Sequence, residues 1–307
     1  MKSISVALLA GLAFASVPRP AHADTVLDPT SAWVVDYADD SCALRRTFGT
    51  PEQSALLQMR QFKPDGDPAF TIVTKGIRPL MWETSTLITA KTLPLPWVKT
   101  VKVALQDGEA DRRIERARPI STGDGFEGYL FSMPFAPDTG NDGQSAAPRP
   151  DVAAQRAWEQ SVTDITLKGG FNKTFTLKTG SMQRPMDALR QCMDELLTHW
   201  GIDVAAHKTL TRKVEAVDQI KWARKLQELY PPTMLEEMEN GVVRIRMGVD
   251  QEGKPSACHV QLKSKDDTFE RTACPILMRH ARFLPALDKD GRSIASYYIV
   301  SVHYMVN

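Results

Sequence analysis

The sequence carries no Cys-x-x-Cys pair, so neither a zinc knuckle nor a thioredoxin-type redox pair has its spacing. Gly-x-Ser-x-Gly, His-Glu-x-x-His, Ser-x-x-Lys and a phosphate loop are all missing, which removes the short motifs of the commonest hydrolases and nucleotide enzymes. There is no tract of Lys and Arg, and a near-neutral chain without one has no electrostatic footprint for nucleic acid. Beyond Val17 no apolar run approaches the roughly twenty residues that cross a bilayer as a helix. No internal repeat and no long Pro-rich spacer interrupts the chain.

What is present points to export. Lys2 supplies a positive start, Ile4 to Val17 an apolar run, and Ala21-His22-Ala23 a small-x-small site, which together read as a secretory signal peptide over residues 1–23. Pro18 and Pro20 end the apolar run short of a membrane anchor. Cleavage before Asp24 removes Lys2 and Arg19, two positive charges, and takes the formal charge from +1 to −1. The mature chain is expected to be periplasmic or secreted, with no nucleic-acid partner and no stable membrane insertion after cleavage.

Export changes the reading of the four cysteines, Cys42, Cys192, Cys258 and Cys274. An even number in an oxidising compartment favours two disulfides over metal ligation. Three pairings exist; the preferred one joins Cys258 to Cys274 and Cys42 to Cys192. On the chain-entropy treatment the short loop contributes about 3 kcal/mol and the long one about 5 kcal/mol.

With 42% apolar residues the chain can bury more than one core, so two domains are expected. Residues 24–202 read as a β-rich domain with two helices. Strands are expected at Trp33 to Tyr37, around Val101, and over Phe126 to Phe135. A hairpin joins Leu56 to Phe62 and Phe70 to Thr74 across Pro64-Asp65-Gly66-Asp67. The polar, Pro-bounded stretch 138–148 reads as a loop. Asp151 is a good N-cap for a short helix with Trp158 on its apolar side. Residues 163–181 alternate around Gly169-Gly170 as a hairpin. A second helix begins near Pro185, carries Met186, Leu189, Cys192, Met193 and Leu196 on one stripe, and stops at Gly201. Residues 203–229 are expected to be a partly helical connector.

Residues 230–307 open with Tyr230-Pro231-Pro232. An alternating run Val242 to Val249 leads through Asp250-Gln251-Glu252-Gly253 into a second run, Ala257 to Lys263. A helical segment follows between Asp267 and Arg282, closing in Arg282-Phe283-Leu284-Pro285-Ala286, then a Gly291 turn and a long last strand. The helix begins either at an Asp267/Glu270 capping box or later, with Pro275 in its first turn. Val243, Ile245, Met247 and Val249 point one way and Arg244 and Arg246 the other; Cys258, Val260 and Leu262 face in. A helix over that inward face carries Cys274 across Cys258.

This succession resembles the C-terminal domain of TonB, the periplasmic energy transducer of Gram-negative bacteria. The resemblance implies a small ββαβ module that is an interaction domain rather than a catalytic one. It also implies that Ser293 to Val306 accepts a strand from an envelope protein or receptor segment. A TonB transducer keeps a membrane helix and a Pro-rich linker; a cleavable signal and a second folded unit stand here instead. The expected fold is therefore α+β, with a β-rich N-terminal domain and a TonB-like module at the C-terminus.

The last strand carries Ile294, Tyr298, Val300, Val302, Tyr304 and Val306 on one face and Tyr297, Ile299, Ser301, His303 and Met305 on the other. That second face is less polar than a solvated one. Either the N-terminal unit covers it, or it binds a partner by strand addition, with Tyr297, Ile299, Ser301, His303 and Met305 as the contact set.

Asp138-Thr139-Gly140 matches the triplet of retropepsin-like proteases but lacks the apolar strand that leads into it there. Lys178-Thr179-Gly180 reads as a strand ending in a turn. His259 and His303 form a two-histidine metal site only if their strands lie side by side; otherwise they are surface histidines. The leading expectation is an exported, non-catalytic envelope protein without cofactor or metal. The alternatives are an energy transducer with an uncleaved anchor and a hydrolase using Asp138.

Overall fold

Alternation of apolar and polar residues drives the first half of the chain into strands. In β4 (Ser54–Gln61) every second residue is buried, the signature of a strand with one face on a core. A computed structural model describes residues 25–80, 100–137, 151–229, 241–262 and 268–304. The expected signal peptide, Asp138, the run from Tyr230 to Pro232, Asp267 and Met305 lie outside them.

Two sheets form the N-terminal part. The larger has the order β2-β3-β4-β5-β9-β8: β2 Val34–Ala38, β3 Ser41–Gly49, β5 Ala69–Lys75, β8 Glu115–Ser121 and β9 Glu127–Ser132 flank β4. The smaller has the order β1-β11-β10-β6-β7, from β1 Thr25–Leu27, β6 Thr100–Leu105, β7 Gly108–Arg113, β10 Val162–Lys168 and β11 Phe175–Leu177. Leu44, Met59, Phe70 and Tyr129 of the first sheet share one apolar cluster with Val101, Val103, Ile165 and Phe175 of the second. The expected hairpins at 56–74 and 163–181 are present as β4–β5 and β10–β11. Strands β1, β3, β7 and β8 were not expected from sequence; in β3, Arg45 and Arg46 sit side by side and blur the alternation.

Helix α1 (Val152–Ser161) is capped by Asp151, whose Oδ1 accepts from the Ala154 N–H at 2.8 Å. Helix α2 (Gln183–His199) ends where Gly201 adopts φ +77° and the Ile202 and Gly201 N–H groups donate to the Leu197 and Thr198 carbonyls, a Schellman closure. Cys192 on the buried stripe of α2 is bonded to Cys42 on β3, with Cα atoms 6.1 Å apart.

Residues 203–229 are partly helical, as α3 (Val204–Lys208) and α4 (Gln219–Glu228), with β12 (Glu215–Val217) between them. Val214, Trp222 and Leu226 from this stretch belong to the second apolar cluster, with Val243, Ile245, Met247, Leu277 and Val302. That cluster lies beneath a three-stranded sheet of order β14-β13-β18: β13 Gly241–Val249, β14 Pro255–Leu262 and β18 Ser296–Tyr304. Helix α5 (Thr268–His280) packs against β14 and β13, and Cys274 on it is bonded to Cys258, Cα atoms 5.8 Å apart. Pro275 is inside α5, so the earlier of the two expected starts holds. The segment expected to close the helix is instead β15 (Arg282–Leu284), paired with β12, followed by β16 (Ala286–Leu287) and β17 (Ser293–Ile294). Gly253, at φ +78°, makes this possible. A Cβ there would run into the Phe283 carbonyl oxygen, whereas the Gly253 carbonyl accepts from the Phe283 N–H at 2.9 Å. Among the described residues no helix is long and apolar enough to cross a membrane.

Candidate interaction site

The outward face of the C-terminal sheet, away from the second cluster, is the face that meets the N-terminal part. Register sets its composition: on β13, Arg246 lies between His259 of β14 and Ile299 of β18, while Arg244 lies opposite Ser301. A register shift in the β13–β14 ladder leaves Gln261 without an opposite residue. The Gln261 side-chain amide instead donates to the Asp40 carbonyl at 3.0 Å and the Phe62 carbonyl at 3.2 Å in the N-terminal part.

Arg246 is the centre of this seam. It is buried, its Nε and Nη2 both donate to Asp40 Oδ1 at 3.1 Å, and its guanidinium lies 4.1 Å from the Trp200 ring centroid. Trp200 is held in turn by its Nε1–H donating to the Asp39 carbonyl at 3.1 Å. Burial lowers the Arg246 pKa and the Asp40 charge opposes that loss. Tyr297 packs edge-on against Trp200 and lies flat on His207, each with centroids 5.3 Å apart. Burial pushes the Tyr297 hydroxyl up, and the Asp65 charge adds to this; burial pushes the His207 imidazole down, a shift that Asp65 opposes and Lys213, ion-paired with Asp65, reinforces. The N-terminal part therefore covers the Tyr297 end of the face.

The other end is open. Ile299 is partly buried and Ser301 exposed. The His303 backbone lies opposite Val242 on β18. Of the expected contact set, then, Tyr297 is sealed in the seam, Ile299 and Ser301 lie along the face beyond it, His303 is placed by its backbone, and Met305 lies outside the described residues. The low polarity of the second face pointed to a cover from the N-terminal unit, but sequence reasoning named none of the covering residues Asp40, Trp200 and His207.

Among the described strands β18 pairs with β13 alone, so its other side is a sheet edge. It is nine residues long and contains no charged residue, Pro or Gly, the devices that usually blunt an edge. Each alternate residue turns its N–H and C=O away from β13.

The other groupings do not converge. His259 and His303 lie on β14 and β18, separated by β13 and offset along it. No group of three or more His, Cys, Asp or Glu suited to a metal ion occurs among the described residues. Lys178 pairs with Asp164 at 3.2 Å and the Thr179 carbonyl accepts from Arg46 at 2.9 Å, so that triplet ties a strand end to its neighbours. Gly123-x-Gly125-x-x-Gly128 has dinucleotide-loop spacing but turns the β8–β9 hairpin, with no helix after it to receive a phosphate. A groove of about 430 Å³ beside it is lined by Phe48, Leu56, Val73 and Phe126, and among the described residues Asp124 is the one charged group in its lining.

Residues 227–306 match the family described as the Gram-negative bacterial TonB protein C-terminal. The match takes in the three-stranded sheet and α5 but neither of the N-terminal sheets. No curated protein matches the chain.

Proposed function

We propose that this protein, whose last quarter is a TonB C-terminal domain, is an exported, non-catalytic component of the cell envelope that binds another envelope protein by adding a strand to β18. The single observation that carries this reading is the uncharged, Pro-free edge of β18, nine residues long and unpaired among the described strands. The family match supports an interaction role and a periplasmic address. The disulfides of Cys42 with Cys192 and Cys258 with Cys274 suit an oxidising compartment. Because the seam occupies Tyr297, the partner reads the main chain of the edge and the exposed Ser301 beside the partly buried Ile299, with His303 further along the strand; Met305 completes the expected contact set. We further infer that residues 24–202 fold as one unit, and that 203–229 folds with 230–307, since Trp222 and Leu226 lie in the C-terminal core.

A photo-crosslinking residue at Ser301, in the native host, is the test. Capture of one envelope protein that disappears in Ile299→Pro, with the variant still folded by circular dichroism, supports strand addition. Equal capture by the folded Pro variant rejects it. The family match also favours a second reading, energy transduction from a retained membrane anchor. The intact mass of the native protein separates the two: loss of residues 1–23 leaves no anchor, and a membrane-bound chain that still begins at Met1 makes transduction the function.

A further inference from the structure

Tyr297 stands near the start of β18, and the cover over it is thin. Helix α3 is five residues long and none of them is fully buried. It is tied at its start by Asp203, whose Oδ1 accepts from the Ala206 N–H at 3.0 Å, and at its end by the ion pair of Lys208 with Asp194 of α2. What α3 contributes to the seam is His207. Its ring lies on that of Tyr297, 16° from parallel with centroids 5.3 Å apart, while Trp200 meets the same ring edge-on.

The charges around this stack come from several elements. Asp65, in the β4–β5 loop, acts on both His207 and Tyr297 and is ion-paired with Lys213, ahead of β12, and with Lys63. Arg246 of β13 acts on Tyr297 from the paired strand and is itself held by Asp40. A proton on His207 therefore adds a cation to a partly desolvated stack, and the carboxylate that opposes its cost is already shared by two lysines. The Tyr297 ring face attracts a cation, but a stacked imidazolium loses more hydration than a neutral imidazole does. Burial and Lys213 hold the imidazole below its ordinary value, and Asp65 recovers only part of the shift.

We propose that His207 is an acid-released latch on β18: on protonation its ring leaves Tyr297 and α3 lifts, so the edge open to a partner strand extends from Ser301 back to Tyr297. The gain to partner binding rests on the strand-addition reading, whereas the opening itself needs no partner. The released form binds the extra proton, so acid favours it, and opening sets in as pH drops below about 6.5.

Hydrogen exchange of the full mature chain at pH 7 and pH 5, read by mass spectrometry and corrected for intrinsic rates, tests the latch. The His207 and Thr209 N–H groups, which donate to the Asp203 and Ala206 carbonyls, report the lifting of α3, and the amides of β4 report that the chain stays folded. Protection in α3 is expected to fall at least roughly fivefold at pH 5, with a ceiling of about 25-fold set by an open-state imidazole of pKa about 6.5. His207→Phe and His207→Gln take up no proton there, so their protection should not depend on pH. Asp65→Asn removes the opposing carboxylate and should enlarge the response. Unchanged wild-type protection between the two pH values, the same acid loss in a folded His207 variant, or a smaller response in Asp65→Asn overturns the latch. Photo-crosslinking from Ser301 separates the two readings: acid-dependent opening without capture leaves the latch standing and removes strand addition, and capture with pH-independent exchange does the reverse.

Discussion

Removing Arg246 is the perturbation that bears most directly on how the two parts are held together. Its side chain is 8% exposed and that of Asp40 20%, so the pair is poorly screened by water. Breaking a buried pair by deleting one partner costs roughly 3–5 kcal/mol, and the fifth of Asp40 still in solvent allows rehydration that brings this to the low end. Arg246→Met keeps the stem over Trp200, loses both charge contacts, and is expected to cost about 3 kcal/mol. Asp40→Asn leaves the guanidinium with one neutral acceptor and is expected to cost about 2 kcal/mol. The double variant then falls short of the sum by about 1.5 kcal/mol, the coupling of the pair. Urea denaturation of all four proteins, followed by tryptophan fluorescence with Trp200 as a reporter inside the seam, measures it. A coupling below about 0.5 kcal/mol would mean that the pair behaves as an exposed surface contact, and the seam reasoning fails.

Three further outcomes are expected. His207 is held neutral by burial against Tyr297, with its pKa below the unfolded value of about 6.5, so the unfolded chain binds the extra proton. Stability is then fully present above about pH 6.5 and falls as pH drops below it; in His207→Phe, which keeps the stacking, urea midpoints between pH 7 and pH 5 should lose that part of the slope. Replacing Cys42 and Cys192 by Ala should lower the calorimetric melting temperature more than replacing Cys258 and Cys274, because loops of 150 and 16 residues correspond to about 5 and 3 kcal/mol. Glu159 is fully buried and accepts from both Arg190 terminal nitrogens at 2.9 and 2.7 Å. Arg190→Met therefore strands a buried carboxylate and should cost about 3–5 kcal/mol in urea, whereas the double replacement Arg190→Met with Glu159→Leu should recover a large part of it.

Much of the fold was legible because its causes are local. The alternation in β4 and β13, the Asp151 cap, the Gly201 stop and the Gly169-Gly170 turn each act over a few residues and are written in adjacent positions. Cysteine parity in a chain expected to be exported, with Cys192 and Cys258 on apolar stripes, led to the two pairings that the geometry contains. Strand β3 was not legible, because its central Arg45 and Arg46 find partners that lie apart in sequence: Asp36 and Gln58 for Arg45, and the Ser31 carbonyl and the Thr179 carbonyl, 133 residues away, for Arg46.

The candidate site was half legible for the same reason. The sequence by itself determined that the last strand is long, uncharged and two-faced, and that Arg244 and Arg246 turn away from the C-terminal core. A period of two reports only that a face points away from one core. It carries no information about whether water or another part of the chain lies on that face, since that depends on residues two hundred positions distant. Only in the folded chain do Asp40, Trp200 and His207 close over Arg246 and Tyr297 while nothing described closes over Ser301, and only there does Arg244 stack on Phe62 where its neighbour meets a carboxylate.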